Sequence, residues 1–270
     1  MSKDGKWWDK SITLVEGCTP ISDGCKNCWS AGMGHRFHGK KGLTTDGHYN
    51  GKIICRADRI KELGRGEPKR WVIWNDLFHP QVPFEFIDKV FAIMALCPQH
   101  TFLILTKRPD IMKKYMLTKH RWKNHVLLEA EKIHSAWQTP LKYHWPQSHI
   151  HLGVTVCTPD ELPKINILRT IPAAHRFVCF EPLLHYMGKL NLEGIDWVIV
   201  GCESLGSRAG RFQDGYDEAA LDIIRQCEAA GVLVWHKQRP DNGKVSKDMN
   251  KWKPEFRVRA KDGNAYPQRN

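Results

Sequence analysis

Trp71-Val72-Ile73-Trp74, then Pro83-Phe84-Glu85-Phe86-Ile87-Asp88-Lys89-Val90-Phe91-Ala92-Ile93-Met94, then Thr101-Phe102-Leu103-Ile104-Leu105 set the pattern from which the fold is read. The two outer runs are short, apolar on both faces and bounded by polar or turn residues, as strands buried on both sides of a parallel sheet are. The middle run places its apolar residues at helical spacing. Strand, helix, strand in that order predicts parallel pairing through a right-handed crossover. Outward from this unit, further β-rich apolar runs occur at Ser11–Val15, His149–Val156, Arg176–Phe180, Trp197–Val200 and Val232–Trp235. Asp217–Ala230 reads as a helix that Gly231 terminates, and Pro159–Arg169 is a further helix candidate. Six or seven such units fit a partial (β/α)6–7 TIM-like barrel better than a doubly wound sheet. No Gly-x-Gly-x-x-Gly follows a strand, which argues against a dinucleotide fold. Residues 118–148 interrupt the alternation and are expected to form an inserted helix and loop. The expected organisation is thus one α/β domain over residues 1–240, followed by a basic tail over 241–270 that stays mobile until it meets a partner.

Hydrophobic residues make up 41% of the 270 and charged residues 26%, enough for a sizeable core. No run approaches the roughly 18 apolar residues of a membrane span. The opening MSKDGKWWDKS lacks the apolar stretch of a secretory signal, so a cytoplasmic protein is expected. Lys and Arg number 41 against 29 Asp and Glu, a net charge of 41 − 29 = +12. Such a chain is a candidate for polyanion binding, with nucleic acid first in line. The basic residues sit beside aromatic ones at both ends: Lys3, Lys6, Trp7, Trp8 and Lys10, then Lys244, Lys247, Lys251, Trp252, Lys253, Arg257, Arg259 and Lys261. Segments of this kind hold phosphates and stack on exposed bases.

The chemistry is concentrated in Gly17-Cys18-Thr19-Pro20-Ile21-Ser22-Asp23-Gly24-Cys25-Lys26-Asn27-Cys28, where three of nine cysteines are spaced Cys-x6-Cys-x2-Cys. In a reducing compartment, clustered cysteines point to metal binding rather than to disulfides. The stretch follows the first strand candidate and precedes a helix, on the face where barrels build their active sites. A [4Fe–4S] cluster takes four thiolates in full. Three thiolates leave one iron open for a chelating ligand such as S-adenosylmethionine. A Cys3His zinc site with His35 or His38 as fourth ligand is the competing reading. Cys97, Cys179 and Cys227 lie in or beside apolar runs and read as small core hydrophobes, whereas Cys55, Cys157 and Cys202 are open.

Taken together, these pieces resemble the phage Gp37/Gp68 family, a radical-SAM-like group. The resemblance rests on Gly17-Cys18-Thr19 with Gly24-Cys25-Lys26-Asn27-Cys28, Asp76-Leu77-Phe78-His79, Phe86–Ala95, Leu105-Thr106-Lys107-Arg108-Pro109 and Leu152-Gly153-Val154-Thr155-Val156. It continues through Arg176-Phe177-Val178, Glu181-Pro182-Leu183-Leu184, Asp196–Gly201 with Glu203-Ser204, and Lys237-Gln238. The departure from most radical SAM enzymes is the six-residue first gap, and the aromatic Trp29 that follows the last cysteine rather than preceding it.

The resemblance implies a [4Fe–4S] cluster on Cys18, Cys25 and Cys28, with S-adenosylmethionine as co-substrate and an external electron donor. Reductive cleavage then yields methionine and a 5′-deoxyadenosyl radical that abstracts hydrogen from the substrate. It also orders the strand ends: Asp76, Glu181 or Glu203 to hold the methionine ammonium or ribose hydroxyls, Lys107, Arg108 or Lys237 to hold a carboxylate or substrate anion, and Thr155 beside them. The implied substrate is a modified thymine in phage DNA, in the host cytoplasm, with an N-linked glycyl group isomerised to a carbon link during hypermodification. A base in a duplex must be flipped out, so aromatic platforms are expected, with Trp7, Trp8, Trp122, Trp137 and Trp145 as candidates. Two rivals stand beside this reading: a radical SAM lesion-repair enzyme of the photoproduct-lyase kind, and a non-enzymatic zinc-bound DNA-interaction protein.

Overall fold

Seven of the apolar runs become seven parallel strands, and they pair strictly in chain order. A computed structural model describes residues 5–38, 42–137 and 145–259. The strands are β1 (Lys10–Thr13), β2 (Arg70–Trp74), β3 (Thr101–Thr106), β4 (Ile150–Thr155), β5 (His175–Phe180), β6 (Trp197–Gly201) and β7 (Leu233–Asp241). Each pairs in parallel with the next, from Lys10 opposite Trp71 to Trp197 opposite Leu233. The molecule is therefore a mixed α/β fold around one large, mostly parallel sheet.

Helices α1 (Trp29–His38), α2 (Phe84–Ala95), α3 (Pro109–Leu117), α4 (Leu127–Trp137), α5 (Pro163–Arg169) and α6 (Tyr216–Ala229) fall between the strands. In α2, nine of twelve side chains are buried, as its broad apolar face requires. Helix α6 begins with Asp217 and Glu218 in its first turn, where the helix dipole favours acids. It ends as Gly231 takes a positive φ of 67°, while the amide of Val232 reaches back to the Cys227 carbonyl at 2.8 Å. The stretch 118–148 contains a π-helical turn, Trp122–Val126, leading into α4. None of the helices is long and apolar enough to cross a membrane among the described residues.

Alternation along each strand sorts the core into two clusters. Trp71, Ile73, Phe102, Ile104, Leu152, Val178, Val198 and Val234 belong to the large cluster shared with the helices. Val72, Leu103, Phe177, Cys179, Trp197, Ile199 and Trp235 face the other way and form a cluster of their own around Trp7. Gly153 lies on that face, and a Cβ there would stand 2.4 Å from the Phe177 ring, so the glycine makes room for the aromatic side chain. Trp7 packs at 5.5 Å from Trp197 and 5.9 Å from Phe177, while the Trp235 indole donates to the Gly5 carbonyl at 2.9 Å. The N-terminal segment thus lies against β7 just before the chain enters β1, at the opposite edge of the parallel strands. Trp7 is only 1% exposed, so it is core and not an aromatic platform.

The expectation of a free tail after residue 240 fails as far as Arg259. Strand β7 runs on into a hairpin with Lys244–Ser246, and that strand pairs in turn with Arg208–Ala209. Trp252 and Phe256 are buried in the large cluster. The Arg259 guanidinium donates to the carbonyls of His236, Lys237 and Lys247. Two aromatic anchors and an arginine satisfied by backbone are enough to fold a polar segment onto the body. Lys261, the last of the basic residues named above, lies outside the described residues, as does the side chain of Trp137.

Candidate functional site

Period-two alternation carries the inner face of the sheet from apolar to polar at its carboxyl end. Leu103 and Leu105 lead to Lys107, Gly153 to Thr155, Cys179 to Glu181 and Trp235 to Lys237, while on β6 Ile199 leads to Gly201, which has no side chain. The cysteine loop covers these ends. It leaves Gly17 at a φ of +84°, passes through a short 3-10 turn at Asp23–Cys25 and runs into α1 after Cys28.

The loop is tied down from three strand ends. Behind β2, the Nδ1 of His79 accepts the amide of Gln81 at 3.2 Å, so its proton is on Nε2, which donates to the Thr19 hydroxyl at 2.9 Å. Behind β3, Arg108 donates to the Thr19 carbonyl at 2.6 Å and approaches the Cys18 Sγ at 3.7 Å, while Lys107 Nζ lies 3.5 Å from the Cys25 Sγ. Behind β6, Glu203 accepts from Asn27 at 3.1 Å and from Arg211 at 2.6 Å, and Arg211 also reaches the Asp23 carboxylate at 2.9 Å. Gly24 seals the contact: a Cβ there would be 2.3 Å from the Cys157 Sγ and 2.9 Å from Lys107 Nζ.

Beneath the loop is a cavity of about 210 Å³. Its wall includes Cys18, Cys25 and Cys28 together with Asp76, Lys107, Thr155, Glu181, Glu203 and Lys237. Residues dispersed over more than two hundred positions of sequence thus meet in one place. Burial pushes the Cys25 thiol up, but the Lys107 ammonium and hydrogen bonds from the turn outweigh it and leave it below the ordinary thiol value. Burial raises Cys18, and Arg108 offsets this only in part. Burial would lower Lys107, yet Cys157, Cys25 and Glu161 hold its ammonium in the charged form. Cys202 is pushed up to about 12 by burial and then by Glu181, so it is a neutral thiol on the same wall. Cys179, expected as a core hydrophobe, is buried and also lines the cavity.

Two of the strand-end acids also have dense contacts within the protein. Asp76 receives the Thr106 hydroxyl at 2.5 Å, the Phe78 amide at 3.0 Å, the Lys107 amide at 3.2 Å and the Arg108 guanidinium at 2.8 Å. Glu203 is similarly occupied by Asn27 and Arg211. Both carboxylates help to fasten the loop, Asp76 through Arg108 and Glu203 through Asn27 and Arg211, and both also line the cavity. Arg211 carries no motif in the sequence, and only the folded chain brings it between Asp23 and Glu203.

A larger groove, of about 1010 Å³, adjoins the cavity. The two share Trp8, Trp29, Ser30, Tyr49, Trp74 and Asn75. Trp29 is 50% exposed and Met33, one turn on, 45%. Trp29 meets Trp74 edge-on at 4.8 Å, and Trp74 meets Trp8 at 5.0 Å. Four basic residues line this groove (Lys6, Lys10, Arg56 and Arg59) against two acidic ones (Asp9 and Glu16). Trp122 and Trp145 pack against the large core cluster instead, with the Trp145 indole donating to the Pro172 carbonyl at 2.8 Å.

Among the described residues, no three His, Cys, Asp or Glu side chains are drawn together closely enough to hold a metal ion as they stand. The donor chemistry nonetheless fits a thiolate-bound cluster: three thiols from one loop, with Lys107 and Arg108 beside them to balance negative charge. His35 is exposed, with its ring 3.4 Å from the Thr44 hydroxyl, and does not line the cavity; the His38 side chain lies outside the described residues.

The chain belongs to the family described as "Protein of unknown function (DUF5131)", whose sequence model matches residues 3–269 and so spans the sheet, the cysteine loop and the C-terminal hairpin together. No curated protein and no solved structure matches it.

Proposed function

For this member of the family, we propose radical S-adenosylmethionine chemistry on a base of DNA, in the manner of the phage Gp37/Gp68 proteins that the sequence resembles. The observation that carries the reading is the meeting of Cys18, Cys25 and Cys28 with the polar strand ends in one cavity. The sheet is read as a partial barrel. Its strands follow chain order without a switch point, and the segment around Trp7 spans from β7 to β1.

Cys18, Cys25 and Cys28 would hold a [4Fe–4S] cluster. When bound, such a cluster supplies the electron that cleaves S-adenosylmethionine and starts hydrogen abstraction. The chain's own part is positional. Lys107 and Arg108 keep positive charge beside the thiols, and Asp76, Glu203 and Arg211 fasten the loop that carries them. Trp7, Trp8, Val72 and Leu105 give the cavity an apolar lining that limits water around a reactive species.

A nucleic-acid substrate is supported by the net charge of +12 and by the aromatic groove that opens into the cavity. Trp29 and Trp74 offer faces on which a base out of its stack can rest. Within that class, the resemblance favours an aminoacyl-bearing thymine, with an N-linked glycyl group moved to a carbon link.

The test is anaerobic incubation of the reconstituted protein with a reductant, S-adenosylmethionine and modified phage DNA, followed by nucleoside mass spectrometry. The reading expects 5′-deoxyadenosine, formed faster with DNA, and a product nucleoside of unchanged mass but altered retention. A product of different mass removes the isomerisation. Absence of 5′-deoxyadenosine under every reductant removes the radical chemistry.

A further inference from the structure

Among the described residues, one charged pair of the cavity wall is not engaged in holding the cysteine loop. Asp76, Arg108, Glu203 and Arg211 all contact the loop or one another, and Lys107 lies against Cys25. Glu181 and Lys237 bond to each other instead. Apart from this ion pair, among the described residues the Glu181 carboxylate has only a weak 4.0 Å approach from the Cys179 thiol, and Lys237 lies over the Trp8 ring at 5.4 Å from its centroid.

Two backbone features bring this pair together. Glu181 follows β5 and Lys237 is in β7, with β6 between them. The residue of β6 in the same layer is Gly201, and a Cβ there would already touch the Glu181 side chain at 3.4 Å. A larger residue would block the reach of Glu181 across the strand. On β7 the pairing with β6 passes from His236 opposite Val200 to Gln238 opposite Gly201, so Lys237 sits at a bulge. Bulges re-aim a side chain and gather at functional sites. Both ends of the pair also line the cavity.

We propose that Glu181 and Lys237 read the α-amino-acid group of the substrate, with its ammonium on Glu181 and its carboxylate on Lys237. This rests on the reading of the cavity as a radical SAM site on an aminoacyl-bearing base, and adds the residues that recognise the aminoacyl part. The exchange suits a zwitterion in particular. A ligand with both charges replaces one internal ion pair by two external ones, and no charge is left unpaired. A ligand with one charge breaks the pair and leaves the other member half-buried without a partner, which is strongly unfavourable. Trp8, beside Lys237, provides a face for the ring that carries the amino acid.

S-adenosylmethionine carries the same two charges, so the experiment separates the two sources. Binding of N-benzylglycine, benzylamine and phenylacetate to the full chain is measured by tryptophan fluorescence and calorimetry, with S-adenosylmethionine as a fourth arm. N-benzylglycine is expected to bind at least tenfold more tightly than either singly charged analogue. Glu181→Gln should abolish its advantage over phenylacetate, and Lys237→Met its advantage over benzylamine. Equal binding of all three probes by the wild-type chain overturns the proposal whether or not either variant folds. So does loss of S-adenosylmethionine binding in folded variants that still prefer N-benzylglycine, because the pair then serves the cofactor. Wild-type protein that shows the preference but forms no 5′-deoxyadenosine keeps the pair and removes the reading of the cysteines; the converse keeps the cysteines and removes the pair.

Discussion

Replacing Asp76 by Asn tests whether this acid holds the loop or holds a ligand. The carboxylate and Arg108 are 7% and 6% exposed, and their ion pair is 2.8 Å long. An amide in the same place keeps one oxygen, which still accepts from Thr106 and Phe78. Its other terminus becomes an NH2 group facing the Lys107 amide and the Arg108 guanidinium, which loses its carboxylate and keeps only the Thr19 carbonyl and the Cys18 sulfur. Removing one partner of a buried ion pair costs about 3–5 kcal/mol, because the remaining charge is uncompensated. Against a total stability of about 5–15 kcal/mol this is a large fraction. At roughly 2–4 °C per kcal/mol for a chain of this size, the melting temperature should fall by roughly 6–20 °C. The assay is thermal and urea unfolding of Asp76→Asn, Arg108→Gln and the double variant, with iron content after reconstitution as a second readout. The double variant should lose less than the sum of the single losses, since the pair is coupled. A melting temperature within about 2 °C of wild type, less than 1 kcal/mol of destabilisation, together with lost S-adenosylmethionine binding, would refute the anchoring role and return Asp76 to the ligand.

Cys18→Ala, Cys25→Ala and Cys28→Ala should each abolish the brown colour of a reconstituted chain that otherwise binds about four irons; a colourless wild-type protein with one tightly held zinc would end the cluster reading. Gly24→Ala should cost about 1–3 kcal/mol by overpacking against Cys157, and Cys157→Ala should restore part of the loss, read from urea midpoints. DNA binding should weaken steeply with salt, and Ala at Lys244, Lys247, Lys251 and Lys253 should flatten the log–log slope by up to about 3–4, since each phosphate contact contributes roughly 0.9. Stability should fall on acidification below about pH 6.5, where unfolded histidines gain protons. Burial holds His236 at about 4 and His151 at about 3, so the folded chain leaves both neutral there. Each adds a loss of roughly 1.4 kcal/mol per pH unit, and a flat urea midpoint between pH 7 and 5 would contradict their buried neutrality.

The seven parallel strands were legible in the sequence as short β-rich runs. A central strand such as β6 is apolar because both of its faces are buried, whereas the edge strand β1 has only Ile12 buried and shows no such continuous apolar run. The termination of α6 at Gly231 was legible for a similarly local reason, since a positive φ favours glycine. The three cysteines stood out by their spacing, and the strand-end rule brought Asp76, Lys107, Thr155, Glu181, Glu203 and Lys237 forward as candidates. Their division of labour was not legible. What an acid does depends on which donors reach it, and several donors to Asp76 and Glu203, namely Thr106, Lys107, Arg108 and Asn27, come from positions far away in the chain. Arg211 has no local pattern and becomes visible only where it joins Asp23 to Glu203. The segment after residue 240 misled because its composition is polar, while its placement is decided by Trp252, Phe256 and Arg259, three side chains whose burial depends on the surface they meet. Trp7 misled in the opposite direction: beside lysines it looks like a nucleic-acid platform, yet the inner face of the sheet needs a large apolar side chain there. Composition fixes what a residue can do, and the neighbours that folding supplies determine which of those things it does.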